Sequence, residues 1–385
     1  MIEAAVGEQR AWGWVSHLRD GGTTPWQQWQ GLGESRGRYL PGAQQLELLR
    51  RLNQVGRPAA TLAEAVLAAS AAGRGRPDLE LLGAGPESTF GPAPVQPAEL
   101  PAGELLRVAA SVLADQVVDA GVPDQGKQAP SASWASWWRR GYRLVGDPEL
   151  ADPLRAQLVA RGRPPGGREP RVVVLGTDLA TMAAHAWTHR AFTEGVTAWR
   201  EWLRLLRERR QLPARADLLA VSRSWERRVG KDRVHVVLDP AAVPRLVGDR
   251  RPLATPATLP GECGELARRV GSVLGLLVLP DQRESLLSTR LRPRVEASLA
   301  GTPGASPLVV PPAHRDWVEA AAERMREGIR RAGYAVHGDA DALVPRWPDD
   351  YDPVGDPARG SPSPEATLDL AVRVLLDHGD EGRTT

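Results

Sequence analysis

Two short apolar runs, each breaking at a glycine and turning helical, constrain this chain more than any other feature. The first is Gly141 to Val145, which breaks at Gly146-Asp147-Pro148 into a helical stretch over 149–158. The second is Arg171 to Leu175, which breaks at Gly176-Thr177-Asp178 into a helical stretch over 179–187. A strand that ends at glycine and continues as a helix is how a parallel α/β sheet presents its ligand edge, with helix N-termini beside the strand ends. The pair therefore predicts a parallel sheet and places a phosphate-type site at Gly141–Arg190.

At 385 residues, 42% hydrophobic and 25% charged, the chain has the balance of a globular protein of one large or two ordinary domains. No apolar run approaches the roughly 18 residues of a membrane span. The start, Met1 to Ala5, lacks the basic and apolar regions of a signal peptide, so a cytoplasmic location is expected. The single cysteine, Cys263, excludes an internal disulfide and a cysteine metal cluster. The net charge is +2, the only lysines are Lys127 and Lys231, and acidic residues are interspersed throughout; no nucleic-acid partner is expected.

Before residue 130 the pattern is helical. Residues 44–52, 62–70 and 105–118 carry apolar side chains at helical spacing, and Thr24-Pro25 reads as an N-cap followed by a first-turn proline. Gly21-Gly-Thr-Thr24 has no preceding strand and no internal cation, so it reads as a turn and not a phosphate loop. The Pro-punctuated stretch 121–133 reads as a linker between an all-helical unit (1–130) and an α/β unit (131–385). Within the second unit, 195–209, 317–332 and 367–377 read as helices and 232–239 as a buried strand. The run 274–279 reads as strand or helix, and 334–339 closes the pattern.

The run Arg171-Val-Val-Val-Leu-Gly-Thr-Asp178 with its helix, Thr197-Ala-Trp-Arg-Glu-Trp-Leu203, and Arg233-Val-His-Val-Val237 resemble the middle of the nucleotide-dependent sulfotransferase-like proteins common in actinobacteria. The segments around His314-Arg-Asp-Trp317, Gly333 to Asp339 and Leu343-Val-Pro345 resemble that family's closing part, so the resemblance covers about residues 138 to 380. It implies a P-loop-like parallel-sheet domain and, as donor, 3′-phosphoadenosine 5′-phosphosulfate. In the family a Gly-x-Pro-Lys-x-Gly-Thr-Thr loop cradles the phosphosulfate through backbone N–H groups, a lysine and two hydroxyls. That loop falls here on Gly146, Asp147, Pro148, Glu149 and on through Pro153. Glu149 stands where the family has lysine, and Asp152-Pro153 replaces the hydroxyls. Thr177, before Asp178, stands where an arginine would grip the donor's 3′-phosphate.

A carboxylate about 4 Å from a like charge costs on the order of 4 kcal/mol at an effective dielectric of about 20, so these replacements oppose an anionic donor. The resemblance thus implies a divergent, donor-deficient relative with a binding or accessory role in cell-envelope polysaccharide or glycolipid modification. Its partners would be an active sulfotransferase paralogue or a glycan or glycolipid acceptor. The alternative is an active sulfotransferase, or another transferase, with a non-standard anion site supplied by Arg143, Arg155 or Arg190. In that case His185 is the hydroxyl-activating base.

His185 and His189 lie one helical turn apart but lack the flanking glutamate of a metalloprotease helix, and no metal is expected. His185 and Trp187 are expected along the cleft, His189 at the surface and His235 as a hydrogen-bonded histidine inside a strand. Trp134, Trp137 and Trp138 are expected to pack a domain junction.

Overall fold

A computed structural model describes residues 2–34, 39–69, 78–85, 92–122, 141–299, 308–347 and 360–377. The predicted linker beyond Val122, the tryptophans at 134, 137 and 138, and the division at residue 130 lie outside them.

The sheet has four strands in the order β1 (Tyr142–Gly146), β2 (Arg171–Leu175), β3 (Val234–Val237) and β4 (Ala335–His337). All three pairings are parallel, with Leu144 opposite Val173, Val173 opposite His235, and Val237 opposite His337. The fold is therefore α/β. Side chains alternate along a strand, so β2 sends Val172 and Val174 into one apolar core and Val173 and Leu175 into another on the opposite face. Coverage on both faces explains why β2 reads as an unbroken aliphatic run.

Helices α1 (Ile2–Arg19), α2 (Ala43–Val55), α3 (Ala60–Ala68) and α4 (Ala102–Asp119) precede the sheet. Among the described residues before Gly141 the only β pairing is an isolated bridge, Leu81 to Val95. The Thr24-Pro25 cap does not form: Pro25 itself precedes a short 3-10 turn at Trp26–Gln28 without a side-chain cap. Thr24 is instead drawn to α1, its hydroxyl 3.1 Å from His17 Nε2.

Between β1 and β2 lies α5 (Pro148–Ala160). After β2 come α6 (Leu179–Ala191), α7 (Trp199–Arg209) and α8 (Leu218–Val229). After β3 come α9 (Val243–Val247), α10 (Gly261–Leu277), α11 (Pro280–Leu286), α12 (Arg292–Ser298) and α13 (Pro312–Ala332); α14 (Pro364–Asp377) closes the described chain. The ambiguous run 274–279 thus spans the end of α10, with Leu276 exposed in its last turn and Leu279 exposed just beyond it. A π-helical segment, Leu287–Leu291, joins α11 to α12.

Three apolar cores hold this together. Two flank the sheet; the largest contains α1 to α4 together with α10, α11, α12 and α14, so it draws residues from both sides of position 130. Helix α14 lies on α4 and α10. No described helix is long and apolar enough to cross a membrane.

Candidate functional site

The site forms where β1 hands over to α5. Gly146 has φ +96°, and a Cβ there would fall 2.2 Å from the Leu175 carbonyl oxygen on the neighbouring strand. Only glycine permits that close passage. Asp147 follows as N-cap, its Oδ1 accepting from the Glu149 amide at 3.0 Å, and Pro148 occupies the first turn, where no N–H is needed. An aspartate followed by proline is a local signature of such a helix start. Pro153, which the family resemblance places in the donor loop, lies inside α5, within the helical stretch read from the sequence.

Asp147 is fully buried and Glu149 is 3% exposed. Buried carboxylates need partners, and each has one from a distant element. His185, on the second turn of α6, lies with Nδ1 2.7 Å from Asp147 Oδ2. Arg292, at the start of α12, grips Glu149 bidentately at 2.6 and 3.1 Å and also donates to Glu296 at 2.8 Å. One turn on, Asp152 accepts two hydrogen bonds from Arg215, at 2.8 and 2.9 Å, and a further one from Arg155. The Arg215 Nε also donates to the Gly146 carbonyl at 2.9 Å, tying the α7–α8 connection to the end of β1.

The electrostatics follow from these contacts. Burial, the largest single influence on His185, works against its charged form. It is outweighed by the hydrogen bond and charge of Asp147, with Glu149 and Asp178 adding, so the His185 pKa is raised. Burial likewise opposes ionisation of Asp152, but Arg215 and Arg155 outweigh it and hold the carboxyl below its usual range. His189 is pushed the other way, down, by burial and then by Arg215. It is half-buried among these charges and not at the surface as expected.

His185 itself is 5% exposed, and its Nε2 is buried without a hydrogen-bond partner. Trp187, expected beside it along the cleft, is sealed in the core on one face of the sheet, its indole donating to the Thr197 carbonyl at 2.9 Å. Asp178 caps α6, accepting from the Thr181 amide at 2.9 Å, and Thr177 is half-buried beside it. Of the arginines considered as substitutes at the turn, Arg155 is spent on Asp152 and Arg190 pairs with Glu194 at the surface. Arg215 and Arg292 escaped sequence reasoning: they lie 63 and 143 residues from their partners, and no local spacing announces them.

A cleft of about 800 Å³ opens beside this cluster. Glu149, Asp152, Glu296 and Arg292 form its polar side, and Pro153, Ala156, Leu259 and Leu299 are among its apolar lining. Elsewhere, His235 on β3 has Nδ1 3.0 Å from His337 Nε2 on β4. Burial, then Arg171 and His337, lower its pKa to about 4. Among the described residues no group of three or more His, Cys, Asp or Glu side chains is arranged to hold a metal. Cys263 is buried and its thiol is pushed up to about 12, first by burial, away from the thiolate form that a nucleophile needs. No protein-family model matches the chain, and no curated protein and no solved structure gives a significant match.

Proposed function

We propose that this chain is a sulfotransferase-like protein whose donor position is closed, and that it acts as a binding or accessory protein in cell-envelope polysaccharide or glycolipid modification. The observation that carries this reading is Glu149, buried at the mouth of α5 and held bidentately by Arg292. A phosphosulfate laid on the N-terminus of α5 would meet Asp147 on the Glu149 amide, Glu149 itself, and Asp152 one turn further. Arg155, Arg215 and Arg292 are already committed to Asp152 and Glu149. Freeing Arg292 would leave Glu149 buried and unpaired, which costs several kcal/mol by itself. The residues present do not fit 3′-phosphoadenosine 5′-phosphosulfate. The adjoining cleft, apolar with an acidic side, suits a neutral or cationic group better than a dianion.

Calorimetric titration with 3′-phosphoadenosine 5′-phosphate tests the reading. No heat from folded protein is expected; micromolar binding would overturn it.

One observation favours a second reading, an active transferase: the Asp147–His185 pair. Asp147 accepts the Nδ1 proton, which leaves the Nε2 lone pair free of any protein donor, the arrangement of a general base. In that reading Nε2 takes the proton from an acceptor hydroxyl, and the raised His185 pKa makes activity climb as pH rises through it. Turnover that disappears in His185→Asn, with a donor other than a nucleotide phosphosulfate, would establish it.

A further inference from the structure

A second pair of cavities lies on the α7–α13 side of the molecule and shares no lining residue with the cleft at α5. One, of about 840 Å³, is lined by Arg204, Arg207, Glu208, Arg210, His314, Trp317 and Arg324. The other, of about 360 Å³, shares Arg210, Trp317 and Arg324 with it and continues over Leu212, Leu219, Ala321 and Met325, with Gln211 and Asp217 also lining it; the Asp217 carboxylate is engaged in capping α8, accepting from the Ala220 amide at 2.9 Å. The two make one groove with a cationic half and an apolar half.

The cations differ in availability. Arg204 is taken by Glu201 and Glu208, and Arg207 is tethered to the Ala313 carbonyl at 2.7 Å. Arg210 and Arg324, both exposed, have no ion pair or side-chain hydrogen bond among the described residues. Arg210 also ends α7 with φ 51°, the one non-glycine among the described residues with positive φ. Glycine would hold that C-terminal position with less strain. An arginine there places a fork of donors at the junction of the two halves.

His314 adds a buried Nδ1 without a partner and a pKa lowered by burial and then by Arg207 and Arg200, so its ring is neutral beside the arginines. Trp317 packs partly on the core behind the sheet and lines both cavities. Exposed arginines and a half-buried tryptophan beside an apolar floor match the composition of an interface centre.

We propose that this groove binds an acidic peptide segment carrying a bulky apolar residue. The carboxylates meet Arg210 and Arg324, and the apolar side chain rests on Trp317 over Leu212, Leu219 and Met325. A lone inorganic anion would leave the apolar half unused. A nucleic-acid strand calls for a basic track with successive stacking rings, whereas this groove has one tryptophan and the chain a net charge of only +2.

Fluorescence anisotropy with a labelled acidic peptide bearing one central phenylalanine tests the proposal, using the full chain. Saturable binding is expected, weakening as salt rises. The double variant Arg210→Gln/Arg324→Gln should lose about ten-fold or more in affinity, and a peptide with serine for phenylalanine should lose a similar factor on the wild-type protein. Circular dichroism verifies folding of the variant; both arginines are exposed, so its fold is retained. Absence of binding by folded wild-type protein, equal binding by the double variant, or equal binding of the serine peptide would each overturn the proposal. None of these outcomes bears on nucleotide titration at α5, so the two readings fail separately.

Discussion

Two clusters of arginine and carboxylate on this molecule use the same side chains to opposite ends. At the mouth of α5, Asp147, Glu149 and Asp152 have drawn cations from three distant elements into a shielded, mutually neutralised knot. Along α7 and α13, Arg210 and Arg324 stay in water without a protein partner. Composition does not separate the two; burial does. Where water is excluded, every charge must be answered and each answer is costly to remove. Where water remains, a charge contributes little to folding and stays available for a partner.

The sharpest way to break this contrast is Arg292→Met. It strands Glu149 in the interior and should cost about 3–5 kcal/mol in urea denaturation, while the double variant Glu149→Gln/Arg292→Met should recover most of that. A loss near zero would mean that the pair is solvated and the contrast empty. Asp147→Asn comes next. It exchanges the carboxylate facing His185 for an amide and should cost about 1–3 kcal/mol, with the imidazole titration moving down in an NMR pH series. An unmoved titration would sever Asp147 from the His185 shift.

Smaller, and opposite in sign at two sites, are the pH effects. His185 has a raised folded pKa, so the dyad's stabilisation is complete below its unfolded value of 6.5 and is lost as pH rises through the folded value. His235 is depressed to about 4, so its contribution is complete above 6.5 and is lost as pH falls toward 4. Urea midpoints against pH should lose the first slope in Asp147→Asn and the second in His235→Phe; a variant that keeps its slope identifies the wrong group. The smallest effect belongs to the exposed pair: Arg210→Gln and Arg324→Gln should each change stability by no more than about 0.5 kcal/mol. A larger loss would place those arginines in the fold's own network.

The strand-to-helix edge was legible because its signals are local. The aliphatic run ending at Leu175, the glycine at 146 and the Asp147-Pro148 cap each act within a few residues of themselves. That a carboxylate stands at position 149, in the first turn after the cap, was legible too. What answers Glu149 was not: Arg292 reaches it through the packing of α12, and no spacing rule spans that distance. Trp187 was misplaced for a related reason. Its helix carries buried residues on most of its circumference, neither His185 nor Trp187 lines the cleft, and the indole is held by α10, whose Gly264 lies against it: a Cβ there would fall 2.4 Å from its ring. Thr24 shows local partners in competition, since a cap residue was diverted by a histidine seven residues earlier, near the end of α1.

The placement of α14 has a consequence for how the chain is made. Its Leu368, Ala371, Val372 and Leu375 belong to the same apolar core as α1 to α4, together with Leu266, Val270 and Leu274 of α10. Helices α1 to α4 leave the ribosome before α10 and α14, and so cannot close their shared core until those later helices have emerged. For most of synthesis they expose the faces that α10 and α14 will cover, and folding waits on long-range contacts. A fragment ending before Gly141 would leave those faces uncovered and is a poor unit for expression.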